Sequence, residues 1–197
     1  MHNYDSIVHV GAHLCQEKDY YEKICTGDIV WVEADNELFS RAQSQIKNFK
    51  RHKIYNYFVT DFTNPNIKMN IFNNDGASNS IYSPTRKMNK YWPELRVSSF
   101  QIVKTITLDE IVTFAGLKGR NNLLVLDVQG HELNVLKSGE KKLEHFSKII
   151  CEISYVKIYK GAPTAKKIIR YLNSQNFKLK NPNIHFHYDG VFESLQN

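Results

Sequence analysis

Short apolar runs alternate with stretches of helical periodicity along most of the chain, and this alternation constrains the fold more than any other feature. Residues 6–10 form an apolar run that ends at Gly11, and residues 16–25 then bring Tyr20, Tyr21, Ile24 and Cys25 to one helical face. Residues 28–34 form a second run. Asp35 or Asn36 can cap the helix that follows, in which Phe39, Ala42, Ile46 and Phe49 keep a three–four spacing. Residues 53–59 read as a third strand and 67–72 as another. Later, 101–105 is strand-like, Thr107 and Glu110 form a capping-box pattern, and 122–128 is a continuous apolar run of the kind buried on both faces. Leu133, Leu136, Leu143 and Phe146 line a further helix, 148–156 reads as a buried strand, and Ala165, Ile168, Ile169 and Leu172 mark an amphipathic helix. Segments near 177–179 and 185–192 lie close enough to pair antiparallel. The expectation is an α/β, Rossmann-like fold in one domain over 1–197. Its sheet is mostly parallel with one antiparallel strand near the edge, and helices cover both faces.

The middle of the chain breaks this rhythm. A polar loop occupies 73–80, and residues 83–99, with Pro84, Tyr91, Trp92 and Pro93, show no clear period. An irregular segment of that length is read as an insertion serving as an acceptor-side lid. The net charge of +6 raises the question of nucleic acid, but the cations are scattered and no RNA-binding motif accompanies them, so a solvated surface is the favoured reading. No membrane span or signal peptide is visible. Cys15, Cys25 and Cys151 are spaced neither as zinc ligands nor as a redox pair, and read as reduced thiols in a cytoplasmic protein.

Ligands of open α/β sheets bind beyond the carboxyl ends of the strands. The residues ending the strands are Gly11 to Gln16, then Glu33, Asp61 with Phe62, and Asp127; Glu152 lies within a strand. One glycine at the first turn, where a dinucleotide site wants three, argues against a pyrophosphate ligand. Glu33, roughly 20 residues on, is placed to accept hydrogen bonds from ribose hydroxyls. A ribose without phosphates points to S-adenosylmethionine. The densest local signal is the run 124–136, where Asp127, His131 and Glu132 form a candidate acid–base group around Gly130. Glu132 also fits a plain helix N-terminal carboxylate, and His131 a surface residue.

At these residues the chain resembles the FkbM family of S-adenosylmethionine-dependent methyltransferases. The resemblance runs in order through residues 8–13, 31–34, 74–80, 103–111 and 126–132, and continues through 135–139, 150–153 and 171–177. It implies a class I methyltransferase fold and O-methylation of hydroxyls on sugars, polyketides and related metabolites. It also implies that Gly11, Ala12, His13 and Gln16 cradle the methionine part of the cofactor. Glu33, with Ala34, would hold the ribose, Asp61 and Phe62 would lie near the adenine, and Val128 would border the cofactor. Ser78, Asn79 and Ser80 and the segment from Asp127 to Glu132 would face the transferred methyl and the acceptor; apart from the resemblance, the aromatic Tyr82, Tyr91, Trp92 and Tyr155 are candidates to stack on sugar rings. His13 stands where the family usually has Asn, Cys15 where it has a second Gly, and Asn36 where many members carry Pro. Cys15 thus adds bulk to the cofactor loop. Relatives often carry covering helices before the first strand, which here begins almost at once; this suggests a domain of a longer chain, beside a glycosyltransferase.

The expected reaction is in-line methyl transfer to a hydroxyl of a sugar or glycan, with Asp127, His131 or Glu152 as base, leaving S-adenosylhomocysteine. A Mg²⁺-assisted route is not favoured, because no ligand set is apparent. RNA methylation and a non-catalytic cofactor-binding module are the alternatives, and a nicotinamide-dependent oxidoreductase is disfavoured by the missing glycines.

Overall fold

A computed structural model describes residues 3–61, 64–183 and 185–196. A seven-stranded sheet is built from β1 (Ile7–Val10), β2 (Ile29–Val32), β3 (His52–Tyr55), β7 (Asn122–Leu126), β8 (Phe146–Ser154), β9 (Phe177–Leu179) and β10 (His187–Ser194). Their order is β3-β2-β1-β7-β8-β10-β9, and β10 runs antiparallel to both neighbours while the other pairs are parallel. Every residue of β1, β2 and β7 is buried.

Alternation along these strands decides which helices cover which face. Ile7, Ile29, Trp31, Leu123 and Val125 pack with Tyr21 of α1 (Lys18–Ile24) and with Ala42 and Ile46 of α2 (Asn36–Ile46). Val8, Val10, Val30, Val32, Leu124 and Leu126 point the other way, onto α4 (Leu108–Ala115), α5 (Glu132–Ser138) and α6 (Ala165–Ser174). Helix ends follow the sequence signals: Asp35 accepts from the amides of Glu37 and Leu38, and Thr107 and Glu110 close their capping box.

The departures lie in the middle. The expected strand over 53–59 breaks after Tyr55, because the Asn56 amide donates to the carbonyls of Glu33 and Ala34 and turns the chain. The next residues, β4 (Phe58–Val59), leave the main sheet and pair in parallel with β6 (Val97–Ile106), which pairs antiparallel with β5 (Asn66–Phe72). Sequence periodicity did not reveal this three-stranded sheet. Within 83–99 the chain forms the short α3 (Arg86–Tyr91), capped by Thr85, before entering β6. Among the described residues no helix is long and apolar enough to cross a membrane.

Candidate active site

The strand order reverses between β1 and β7, and the chain leaving β1 crosses the end of β7 there. Gly11 makes the crossing with φ +86°, and a Cβ on it would lie 1.8 Å from the Asp127 carbonyl oxygen, so no other residue fits. His13 and Cys15 continue the turn at φ 47° and 54°, a left-handed conformation that non-glycine residues seldom hold. Glu33 fixes this loop: its carboxylate accepts from the amides of His13 and Asp35, each at 2.8 Å. Burial pushes the Glu33 carboxyl up to about 7 despite those two bonds. The Gln16 side chain donates to Nδ1 of His13 at 2.7 Å, which leaves the proton on Nε2, and that nitrogen donates to the Asp75 carbonyl at 2.9 Å. The 73–80 loop is thereby tied over the β1 turn, and Arg41 pins it from α2 through both oxygens of Asp75.

Beneath this strap lies a cavity of about 330 Å³. Of the residues expected at a cofactor site, Gly11, Ala12, His13, Gln16, Glu33, Ala34 and Val128 are brought together on its lining. Asp61 does not. Because β4 has left the main sheet, the chain beyond it runs toward α5, where Asp61 accepts from the Asn134 side chain at 2.8 Å. Tyr57, Phe58 and Val59 supply that wall instead. Phe62 lies outside the described residues. Cys15 is fully buried among Ala12, Tyr21 and Trp31, so its bulk enters the core and not the cavity.

A second cavity, about 560 Å³, adjoins the first, sharing Ala77 and Gln129 with it. Its outer wall is the 83–99 segment, through Met88, Tyr91, Trp92 and Leu95; Gln129, Glu152, Tyr159 and His187 line it on the sheet side. The two cavities meet at Gln129, whose Nε2 donates to Asp127 at 2.6 Å and to Glu152 at 3.2 Å. The Tyr159 hydroxyl lies 2.9 Å from Oε1 of the same amide and 3.1 Å from the Ser78 carbonyl, tying the amide to the 73–80 loop. Asp127 opens to the first cavity, yet the surrounding protein and the neighbouring Glu152 raise its carboxyl well above the usual range. The other Glu152 oxygen lies 2.9 Å from Nε2 of His187, and this contact raises the imidazole.

The model of the methyltransferase FkbM domain matches residues 8–179. The chain belongs to the FkbM methyltransferase family. This FkbM protein has no match among curated protein sequences. Solved structures share its fold at low identity. TrmK of M. capricolum, in complex with S-adenosylhomocysteine, superposes with a TM-score of 0.52 at 9% identity over 99% of this chain and 64% of that one. A precorrin-6y C5,15-methyltransferase from Geobacter metallireducens GS-15 gives 0.54 at 9% identity, over 98% and 81% of the two chains. A SAM-dependent methyltransferase from Aquifex aeolicus gives 0.52 at 10% identity, over 98% and 82%. The fold is that of class I methyltransferases, and the cofactor is S-adenosylmethionine.

The residues of the first cavity fit that group. Gly11 lets the β1 turn pack directly on the Asp127 carbonyl, which brings the ends of β1 and β7 together at the cavity, and Glu33 keeps lone pairs beyond the two it gives to the loop. Tyr57, Phe58 and Met69 offer an apolar wall for a planar base.

The remaining expected residues divide. Ser78 lines the second cavity and Asn79 the first, where its amide donates to Asp35 at 2.9 Å. Ser80 is buried and donates to the Gln129 carbonyl at 2.8 Å. His131 lines neither cavity. Gly130 turns the chain at φ +95°, and the imidazole falls back under the β4 segment, 3.0 Å from the Thr60 hydroxyl and 3.3 Å from that of Tyr82. Burial pushes it down to about 4. Glu132 is buried and accepts from the amides of Val128 and Gly130, which shapes the turn and holds it away from an acceptor. Tyr155 lines neither cavity; its amide donates to Phe186, across the β8–β10 end. Sequence reasoning missed Gln129, Tyr159 and His187. Gln129 lies inside the run 124–136 that drew attention to Asp127, whereas His187 is brought in only by the antiparallel register that sets it opposite Ser154.

Proposed function

We propose that this FkbM methyltransferase O-methylates a hydroxyl of a sugar or glycan held in the second cavity, with the Asp127–Glu152 pair accepting the hydroxyl proton. The observation that carries this reading is the meeting of the two cavities at Gln129, under an amide that touches both carboxylates. Bound in the first cavity, S-adenosylmethionine supplies an already activated methyl group. The chain's part is to align the acceptor oxygen with it and to remove the proton. An aliphatic hydroxyl is a weak nucleophile, and a positioned base contributes roughly 10²–10⁴-fold. Asp127 suits the task because a carboxyl raised toward neutrality is a stronger base than a solvated one, and Glu152 lies across the same Gln129 amide. As the oxygen takes the methyl, its proton passes to this pair.

The acceptor class rests on the lining. Met88, Tyr91, Trp92 and Leu95 offer apolar and aromatic faces, against which a sugar ring packs with its hydroxyls directed at Gln129 and Glu152. Among the described residues lining this cavity there is no Lys or Arg, which disfavours RNA despite the net charge of +6. The test is S-adenosylhomocysteine production with a panel of simple glycosides and oligosaccharides, with RNA alongside. Turnover on a glycoside that falls at least a hundredfold in Glu152→Gln, with a raised KM in Trp92→Ala, supports the reading. Turnover on RNA alone would replace it.

A further inference from the structure

We infer that Asp127 and Glu152 make the site read the charge on the cofactor's sulfur, so that it holds S-adenosylmethionine and lets S-adenosylhomocysteine go. The two molecules share adenine, ribose and amino-acid end, and differ by one methyl group and one positive charge. A site that discriminates between them must respond to that charge.

The geometry provides such a response. Asp127 lies on the cofactor cavity and Glu152 on the acceptor cavity, joined through one Gln129 nitrogen. The acidic side chains lining the cofactor cavity, among the described residues, are Glu17, Glu33 and Asp127; His9, pushed down to about 4 by burial, and His13, whose Nδ1 accepts from Gln16, also line it, and there is no Lys or Arg. Groups facing the pair from the packed elements add to the same sign. Glu132 presses from α5, and Asp189 sits on β10 directly opposite Glu152. Tyr159 and Gln129 are neutral. His187 is the one described side chain on this cluster that takes a positive charge, and it is committed to the far oxygen of Glu152. Burial, and then the Glu152 carboxylate across the shared amide, raise the Asp127 carboxyl, so the pair keeps one proton, on Asp127, near neutral pH.

A cation placed in the first cavity favours the ionised pair and displaces that proton. Return of the proton after transfer rests on the proposed base role of the pair. After transfer the sulfur is neutral and the acceptor's proton rests on the pair, so total charge is conserved and the attraction has vanished. The product, itself uncharged, then faces a pair that has regained its proton and one fewer negative charge, and it keeps only the contacts common to both molecules.

Titration calorimetry of the full chain with S-adenosylmethionine and S-adenosylhomocysteine tests this at pH 6, 7 and 8, in two buffers of different ionisation enthalpy. The expected result is that S-adenosylmethionine releases more protons than S-adenosylhomocysteine near pH 7. The ratio of their affinities then rises about tenfold from pH 6 to pH 8 as the pair ionises. Asp127→Asn lowers S-adenosylmethionine affinity and flattens the ratio, and S-adenosylhomocysteine binding reports that the variant is folded; Glu152→Gln gives the same pattern more weakly. A ratio independent of pH, or unchanged in both variants, overturns the inference. Methyl transfer lost in Asp127→Asn with an unaltered ratio overturns it while leaving the base role standing. Failure of either compound to bind overturns it together with the cofactor placement.

Discussion

Asp127 and Glu152 accept hydrogen bonds from the same nitrogen, Nε2 of Gln129, at 2.6 and 3.2 Å. That arrangement depends on a backbone in the left-handed region, φ 51° at Gln129, where strain of order 1–3 kcal/mol is tolerated only if the surroundings impose it. Gln129→Gly separates the two contributions. The glycine adopts the backbone without strain, so the melting temperature should hold or rise. Loss of the amide removes the one hydrogen bond that lowers the Asp127 carboxyl, so its acid range moves further up. A base must be ionised to act, hence the acid limb of the rate profile should shift to higher pH and the rate at pH 7 fall at least tenfold. Product formation against pH checks this, and an unmoved limb would count against the shared-amide account.

Glu33 predicts a second pH dependence, at the cofactor. Its carboxyl sits at about 7 because it is buried, and it must be ionised to accept from ribose hydroxyls while holding the amides of His13 and Asp35. Affinity for S-adenosylhomocysteine should therefore be flat above pH 7 and fall up to tenfold per unit below it. Glu33→Gln should remove the slope and weaken binding about a hundredfold, since hydrogen bonds to a charged acceptor contribute about 1.5–3 kcal/mol each. Calorimetry at pH 6 and 8 on both proteins decides it.

The layered fold was legible because β1, β2 and β7 are buried on both faces and their apolar runs are unbroken. Gly11 and Glu33 were legible for a related reason: each lies directly at the end of such a run. What escaped was set by pairing across distance. Asp61 leaves the cavity because Asn56 turns the chain and β4 pairs with β6, a partner 47 residues away at Phe58↔Thr105. His131 looked catalytic from its place beside Asp127, yet the turn at Gly130 sends the two side chains to opposite sides. His187 depends on the β8–β10 register, which no local pattern encodes.

Cys15 carries a prediction that the sequence alone would have reversed. A bulky residue where relatives have glycine suggests an obstructed cofactor loop, but the side chain is fully buried in the core beside Ala12 and Tyr21. Cys15→Ala should leave S-adenosylhomocysteine affinity within about twofold, at a modest loss of stability from the emptied space. Burial, reinforced by Glu33, pushes the thiol up to about 12. Iodoacetamide at pH 8 should then leave Cys15 unmodified in the native protein and modify it after denaturation. Rapid native modification would show that the thiol reaches the cavity.

His131 offers a measurement of stability independent of the acceptor. Held neutral among Thr60, Tyr82 and the Phe58 ring, it sits at about 4 in the folded chain against an ordinary 6.5. Below 6.5 the unfolded chain takes a proton that the folded chain refuses, so this stabilisation is whole above that value. It declines by at most about 1.4 kcal/mol per pH unit as the pH falls toward 4. Glu33, Asp127 and Glu132 act in the opposite sense over much of that range, because their folded carboxyls are raised. The comparison must therefore be made between wild type and His131→Gln, where those carboxyls are common to both. The variant should be clearly less stable at pH 7.5, and the gap should narrow at pH 6 and again at pH 5. A gap that stays constant in denaturant titrations across those pH values would mean that His131 is not held neutral by burial, and that its bonds to Thr60 and Tyr82 do not depend on its charge.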